Sequence, residues 1–288
     1  MSHSFPTRRS SDLFLIPKEV FANAATWQSS FWQAGAILGP GLAGFLYAYL
    51  GLINTLWIVV GLFILVMILL STITAPPVPT QNEQKVNIFE SLREGIAYVF
   101  KTKVILYSIS LDLFSVLFGG VIALLPVYSE DILHVGAEGL GILRAAPSIG
   151  AVLTMLVMVY YPPTNHAWRN LLLAITGFGI ATLVFAVSTN VWLSAGALFL
   201  TGAFDSVSVI IRQTVIRFFT PDEMRGRVSS VNGIFVSSSN ELGAFESGFA
   251  AKMMGTVPSV IFGGTMTMII VTIVWFRSKE LFGLRFDK

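Results

Sequence analysis

Six ionisable side chains lie inside long apolar stretches of the sequence, where a charge needs a partner, a water path or a function. They are four acids and two arginines: Asp112, Asp205, Glu241, Glu246, Arg144 and Arg212. A charge near the centre of a bilayer costs roughly 3 kcal/mol or more, and such groups often mark ion pathways or proton relays. Asp205 and Arg212 are seven residues apart, which places them on one face of a helix.

These six residues are therefore candidates for a proton or substrate pathway. A carboxylate that meets water on alternate sides of a membrane can be switched between binding and releasing a proton. We expect Asp112, Asp205 or Glu241 to carry a proton in this way. The alternative is a static ion pair that only holds the fold together, for example between Arg144 and Asp112.

Other chemistry finds little support. The chain contains no cysteine, which excludes disulfides, thiolate metal ligands and a cysteine nucleophile. His134 and His166 fall in predicted loops on opposite sides of the molecule, so we expect no metal site. No nucleotide-binding or hydrolase motif occurs in a fitting context, and no basic patch suits nucleic acid. We expect no enzyme activity, no cofactor and no nucleic-acid partner.

The apolar stretches are the elements that position these side chains. Apolar residues make up 54% of the chain and charged residues 12%, and the mean hydropathy is +0.75. Only a lipid bilayer can solvate so much apolar surface. The stretches are about twenty residues long, which indicates helices rather than barrel strands. The sequence predicts an all-α, polytopic membrane protein with about eight spans: 22–50, 53–74, 104–129, 137–161, 168–188, 190–217, 228–254 and 257–277.

The loops between these predicted spans alternate in charge. One set, which includes Lys18, Lys103, Arg169, Arg227 and the tail after residue 277, is rich in Lys and Arg. The opposite set, near residues 51–54, 129–137, 188–190 and 255–258, contains neither residue type. Because positive loops stay in the cytoplasm, this pattern predicts that both ends of the chain are cytoplasmic.

Two segments stand apart from the spans. Residues 3–13 read HSFPTRRSSDL, which resembles a translated sequencing adapter, so we expect residues 1–13 to be foreign to the natural protein. Residues 75–103 begin with a proline-containing linker and continue with apolar residues at helical spacing. This second part predicts an amphipathic helix on the cytoplasmic surface.

An ungapped repeat relates the first predicted helix to the seventh. The sequence from residue 14 aligns with that from residue 218 at a constant offset of 204, which pairs Gly39 with Gly243 and Gly51 with Gly255. Copies six helices apart run in the same direction, as in transporters with two parallel six-helix halves. Only the second half, from about residue 104, is complete, so we expect four helices of the first half to be missing.

Several motifs resemble one family. Gly35, Gly39, Pro40 and Gly44 form a pattern similar to the fifth-helix motif of proton-coupled antiporters in the major facilitator superfamily, with Ala43 in place of a glycine. TPDEMRGR, from residue 220, is similar to the loop before the eleventh helix of that superfamily. The stretches SLREGIAYVF, LPVY, GILRAAPSIGA and NELGAFESG resemble its siderophore- and drug-efflux branch, which includes the enterobactin exporter.

The resemblance implies a partial major facilitator fold, helices five to twelve of twelve. Residues 14–74 would be the remnant of the N-terminal half, 75–103 the linker, 104–278 the complete C-terminal half and 279–288 the tail. The implied function is proton-coupled efflux of a small amphipathic molecule across a bacterial plasma membrane. Its partners would be the bilayer, the substrate, the proton and the missing helices. The alternatives are a membrane sensor without transport, or an inert truncated protein.

Two motifs have candidate mechanical roles. Gly35, Gly39, Pro40 and Gly44 would let another helix approach closely and form a gate, or they would provide ordinary small-residue packing. In the 220–227 loop, the expected cytoplasmic latch consists of four residues. They are Asp222, Arg225, Gly226 and Arg227. The alternative for this loop is simple anchoring by positive charge.

Overall fold

The computed structural model of the chain describes residues 21–72, 88–161 and 166–283. These ranges contain eight principal helices and no β-strand. The segment expected to be foreign, residues 1–13, lies outside the described residues, as do the proline-containing part of the linker and the last five residues of the tail. The predicted all-α class is confirmed, because every regular element of the described ranges is helical.

The eight helices follow the order of the predicted apolar stretches. Their bounds are α1, Phe21–Ser71; α2, Ile88–Lys101; α3, Lys103–Phe118; α4, Gly136–Tyr160; α5, Ala167–Val187; α6, Val191–Phe219; α7, Arg225–Met254; and α8, Thr256–Arg277. Short helical turns prolong α3 from Val121 to Ile132, and a turn at Asp222–Met224 precedes α7. When the turns up to Ile132 are counted with α3, the predicted ends from α3 onward agree with the observed ones to within about three residues.

The first two predicted spans form one element, α1, which is interrupted at a single residue. Gly51 has φ 73° and ψ 170°, a conformation that residues with a Cβ rarely adopt. Gly255, its partner in the repeat, separates α7 from α8 with φ 95° and ψ 157°. The two copies therefore break their helices at the same aligned glycine and in nearly the same backbone conformation. This agreement in backbone conformation supports the repeat.

Six stretches of the described residues are long and apolar enough to cross a membrane. They are Tyr49–Ser71, Lys103–Ile132, Gly136–Met158, Ala167–Val187, Val191–Phe219 and Thr256–Arg277. Six of the eight predicted spans therefore meet this criterion. The predicted span 228–254 does not; it carries several amides and hydroxyls, which suits a helix that faces protein or water rather than lipid. Most side chains of the predicted span 22–50 lie outside the described residues, so the criterion does not apply to that span.

Close backbone contact joins α4 to α6. A Cβ added at Gly202 of α6 would collide with the carbonyl group of Pro147 in α4, and one added at Gly150 of α4 would collide with the carbonyl of Phe199 in α6. Each helix thus presents a glycine to the other's backbone, the arrangement by which membrane helices gain van der Waals contact. Helices α5 and α8 also pack together, α5 packs on α6, and α3 packs on α7.

The buried apolar side chains form two clusters, one toward each end of the bundle. The cluster on the side of the basic loops includes Ile105, Leu111, Trp168 and Ile211. At the base of this cluster the indole Nε1 of Trp168 donates a hydrogen bond of 2.8 Å to the Ser278 hydroxyl. The other cluster includes Val121, Leu125, Tyr128, Phe185 and Leu198. The polar residues of α3, α5 and α6 lie between the two clusters.

Candidate functional site

A polar layer occupies the level between the two apolar clusters. In α3, Asp112 follows the first cluster by one residue and precedes the second by nine. In α6, Asp205 lies between Leu198 of the second cluster and Ile211 of the first. The fold therefore brings these two acids to the same depth from helices that are far apart in sequence.

The centre of the layer is an ion pair between Asp112 and Arg212. The guanidinium Nη1 contacts the Asp112 carboxylate, and the two residues are 5% and 3% exposed. The Nε of Arg212 is also buried and has no hydrogen-bond partner among the described residues. Asp112 thus has a partner, but the partner is Arg212 of α6 and not Arg144, which was the example predicted from sequence.

A cavity opens beside this pair between α3, α5 and α6. The cavity has a volume of about 10 Å³, which is room for roughly one water molecule. The residues that line it are Asp112, Ser115, Val116, Ile175, Phe178, Phe204, Asp205 and Ser208. Asp112 therefore faces two neighbours at once, Arg212 through its ion pair and the cavity through the rest of its carboxylate.

Asp205 and Ser208 contribute the polar groups of the α6 wall. Ser208 is 4% exposed, and neither side chain makes a hydrogen bond or ion pair within the described residues. Across the cavity the Ser115 hydroxyl donates a 2.6 Å hydrogen bond to the Leu111 carbonyl, which leaves its oxygen lone pairs free to accept. The cavity is therefore lined by two carboxylates and two hydroxyls. The oxygens of Asp205, Ser208 and Ser115 accept no hydrogen bond from the described residues.

Two aromatic rings form the apolar walls, and glycines make room for them. A Cβ at Gly177 would lie 2.6–2.7 Å from the Phe204 ring, and one at Gly119 would lie 2.5 Å from the Phe178 ring. Such distances are too short for real carbon–carbon contacts, so both rings depend on the missing side chains. The rings restrict the cavity to a narrow space next to the carboxylates.

The remaining ionisable candidates lie elsewhere. Arg144 in α4 and Glu241 in α7 are exposed, and Glu246 is only partly buried. None of the three lines the cavity. The structure thus brings together Asp112, Asp205 and Arg212 of the six predicted residues, and a pathway role for the other three stays a prediction.

The glycine motif of α1 shows no close helix contact. Gly35 and Gly39 are exposed, and no described atom lies within 4 Å of a Cβ added at either position. Pro40 and Gly44 lie in the same helix. The repeat partner of Gly39 behaves differently, because a Cβ at Gly243 would lie 2.7 Å from the Val116 carbonyl of α3. In the second copy, therefore, this glycine serves helix packing within one half, and the gate predicted for the first copy remains a prediction.

The predicted latch loop has a specific partner, the amphipathic helix α2. Arg227 forms an ion pair with Glu94 of α2, and the Tyr98 hydroxyl of α2 donates a 2.7 Å hydrogen bond to the Phe219 carbonyl at the end of α6. Arg225 also engages a partner, and both Arg225 and Gly226 are exposed at the start of α7. Asp222 begins the short turn before α7. The sequence singled out this loop but did not identify α2 as its partner.

A sequence profile of the family described as transmembrane secretion effector matches residues 5–281. The chain is 26% identical over 232 residues to the multidrug efflux pump Tap of Mycolicibacterium fortuitum, covering 77% of this chain and 54% of Tap. It is 25% identical over 271 residues to the enterobactin exporter EntS of Shigella boydii, covering 93% of this chain and 64% of EntS.

The chain thus spans between about half and two thirds of the length of these relatives. The family match extends over nearly the whole sequence and includes every described helix. It agrees with the long apolar helices of the described ranges. The chain belongs to the transmembrane secretion effector family of the major facilitator superfamily, whose members are multi-pass membrane efflux transporters.

Proposed function

We propose that this chain is part of a secondary active exporter that moves a small amphipathic molecule out of a bacterium in exchange for protons. In this proposal the basic loops and both chain ends face the cytoplasm. The working transporter also includes four helices of the first half that complete the substrate pathway. As an isolated chain, residues 14–288 would not transport.

The observation that carries proton coupling is the environment of Asp205. This acid shares a cavity with Asp112, but only Asp112 has a cationic partner among the described residues. With both carboxylates ionised, the cluster of two acids and one guanidinium has one uncompensated negative charge. An isolated charge away from bulk water is costly. Binding of one proton by the cluster removes that cost, and release of the proton requires renewed access to water.

The mechanism follows from this charge balance. In one state the proton resides on the Asp205 carboxyl while Arg212 holds Asp112 ionised. When water enters the cavity from the cytoplasmic side, the proton leaves through the Ser208 and Ser115 hydroxyls, and the cluster becomes negative. The guanidinium of Arg212 then has two carboxylates to attract it, on α3 and on its own helix. Its redistribution between them would alter the packing of α3 on α6 and so couple proton release to helix movement.

The proposed cargo class comes from the relatives and from the exposed face of α7. The two relatives described above are an exporter of enterobactin and a multidrug efflux pump. A small molecule with an apolar body and polar groups would suit α7, whose exposed face combines Ser237, Asn240 and Glu241 with Phe245. Such a face, on a spanning helix too polar for full lipid contact, suits a substrate pathway.

The proposal is tested in the complete protein, with the upstream helices restored, reconstituted in vesicles that contain a pH-sensitive dye. Addition of substrate should drive proton movement in the wild type. Asp205→Asn should abolish this proton flux, whereas Asp131→Asn, a matched change at an exposed outer position, should leave it intact. Unchanged coupling in Asp205→Asn and Asp112→Asn would contradict the proposal. Transport by residues 14–288 alone would contradict the requirement for missing helices.

A further inference from the structure

The small cavity beside the Asp112–Arg212 pair is lined by side-chain oxygens from two helices. Asp112 and Ser115 belong to α3, and Asp205 and Ser208 belong to α6. The remaining lining residues are apolar, and they are Val116, Ile175, Phe178 and Phe204. All polar side chains of this lining therefore end in oxygen, which is the ligand of hard cations, whereas transition metals favour imidazole or thiolate.

Ser208 indicates a ligand independently of the two acids. Its side chain is 4% exposed, lines the cavity and makes no hydrogen bond within the described residues. Ser206, two residues earlier and also buried, instead donates a 2.9 Å hydrogen bond to the Gly202 carbonyl of its own helix. Buried hydroxyls normally have such a partner, because an unpaired one has lost its hydrogen bonds to water. The Ser208 hydroxyl is therefore available to a ligand in the cavity.

The charge of the cluster determines the charge of that ligand. Asp112 and Asp205 supply two negative charges and Arg212 supplies one positive charge, so the ionised cluster carries one net negative charge. One monovalent cation neutralises it, whereas a divalent cation would leave an excess positive charge between apolar layers. Ca²⁺ also requires about six to eight oxygen ligands, and Mg²⁺ retains several waters, for which this cavity has no room.

The end of α3 adds a favourable electric field for a cation. This helix stops at Phe118, although the apolar span to which it belongs runs from Lys103 to Ile132. The Gly119 amide caps the Ser115 carbonyl at 2.8 Å, and the carbonyls that follow lie at the negative end of the helix dipole. Ser115 and Val116 belong to this last turn and line the cavity. Interrupted spanning helices provide cation sites of this kind in membrane transporters.

The size of the cavity selects among monovalent cations. Its volume of about 10 Å³ accommodates one particle of the size of a water molecule. A bare Na⁺ ion is smaller than water, whereas K⁺ is about as large as water and needs longer bonds to oxygen. The rings of Phe178 and Phe204 pack against helix backbone at Gly119 and Gly177, so they cannot withdraw to widen the cavity. The cavity dimensions therefore favour Na⁺.

We propose that this cavity binds one Na⁺ ion. Its ligands are the Asp205 carboxylate, the hydroxyl oxygens of Ser208 and Ser115, and the second carboxylate oxygen of Asp112. Na⁺ and the proton then compete for the same acid, and either one neutralises the cluster. The exporter can consequently use a sodium gradient as well as a proton gradient. This inference rests on the proposed function, because it assigns a second ion to the same site.

The test measures Na⁺ binding to the purified, full 288-residue chain in detergent and mildly alkaline buffer, so it requires no transport. The unfolding temperature is compared in sodium, potassium and choline chloride at equal ionic strength, which cancels general salt screening. Sodium at about ten times its Kd should raise the unfolding temperature by roughly 3–6 °C relative to choline, and potassium should raise it little. Equal effects of sodium and potassium, or no effect of sodium over the whole titration, would overturn the proposal.

Variants of α6 show whether Na⁺ binds in this cavity. Ser208→Ala removes one ligand and should weaken Na⁺ binding about three- to tenfold. Ser206→Ala, the same change at a serine outside the cavity, should leave the sodium titration unaltered. Asp205→Asn should abolish the sodium-specific rise in unfolding temperature. An undiminished rise in both Ser208→Ala and Asp205→Asn would show that sodium binds elsewhere and would contradict the proposal.

The sodium titration and the proton-flux experiment can fail separately. If sodium does not bind but Asp205→Asn abolishes substrate-driven proton flux in the complete protein, the sodium site is refuted and the proposed function stands. If sodium binds at Asp205 but proton flux survives Asp205→Asn, the sodium site stands and proton coupling through this acid is refuted.

Discussion

Replacement of Gly202 by alanine tests the close approach of α4 and α6. The added Cβ would lie 2.5 Å from the Pro147 carbonyl carbon and 2.6 Å from its Cα. Carbon atoms in contact prefer about 3.5–4.0 Å, so the two helices must separate locally by roughly 1 Å. The obstacle is backbone on both sides, and no side-chain rotation can relieve it.

The expected cost combines two opposing effects. Alanine favours a helix over glycine by about 1 kcal/mol, whereas overpacking of a well-packed contact costs about 1–3 kcal/mol. Because the obstructing atoms are backbone, we expect the overpacking cost of Gly202→Ala to lie at the upper end of this range. After the gain in helix propensity is subtracted, the free energy of unfolding should fall by about 1–2 kcal/mol. Gly196 provides a matched control in the same helix, since no atom lies within 4 Å of a Cβ added there. Gly196→Ala should keep the gain in helix propensity.

The assay is thermal unfolding of the two detergent-purified variants, followed by the loss of the monodisperse peak in size-exclusion chromatography. Gly202→Ala should unfold roughly 5–10 °C below Gly196→Ala, at about 2–4 °C for each kcal/mol. Gly150→Ala, on the opposite side of the same contact, should resemble Gly202→Ala. If Gly202→Ala proves as stable as Gly196→Ala, the tight contact between these helices is wrong.

Three further predictions concern side-chain contacts. Asp112→Asn leaves the Arg212 guanidinium buried and unpaired, so it should lower the free energy of unfolding by about 3–5 kcal/mol. Asp205→Asn removes an unpaired acid and should leave the unfolding temperature unchanged or higher. Equal losses of stability in the two variants would contradict the Asp112–Arg212 pairing. Tyr98→Phe should cost about 1 kcal/mol and speed proteolysis of α2 in membranes, and unaltered protection would argue against docking. Trp168→Phe should lower the free energy of unfolding by about 1 kcal/mol. Adding Ser278→Ala should lower it little further, because either change removes the same hydrogen bond. Additive losses in the double variant would refute a shared bond.

Much of the helical architecture follows from sequence alone because the bilayer restricts the possible structures. A membrane-spanning segment must satisfy all of its backbone hydrogen bonds internally, so a run of about twenty apolar residues folds as a helix. For this reason the predicted ends of α3 to α8 agree closely with the structure. The prediction of a membrane span was weakest for α7, a helix that is not uniformly apolar. There, hydropathy no longer distinguishes lipid contact from contact with water or protein.

The candidate site, too, was only partly predictable from the sequence. The sequence identified Asp112, Asp205 and Arg212 because a charge inside an apolar stretch is conspicuous. It could not assign Arg212 rather than Arg144 as the partner of Asp112, since both arginines lie in spanning helices and the choice depends on which helix faces α3. The positions of Phe178 and Phe204, opened by glycines in neighbouring helices, carried no recognisable sequence signal.

The sequence by itself determined the solvent, the helical class, the repeat and the family, because each follows from local composition or from position along the chain. Only the tertiary structure decided which face of each helix meets which neighbour. That choice paired Asp112 with Arg212, left Asp205 beside them in a cavity, and fixed α2 with Phe89 pointing outward. The physical reason is that helix formation depends on hydrogen bonds within four residues, whereas helix rotation depends on close contacts between residues distant in sequence.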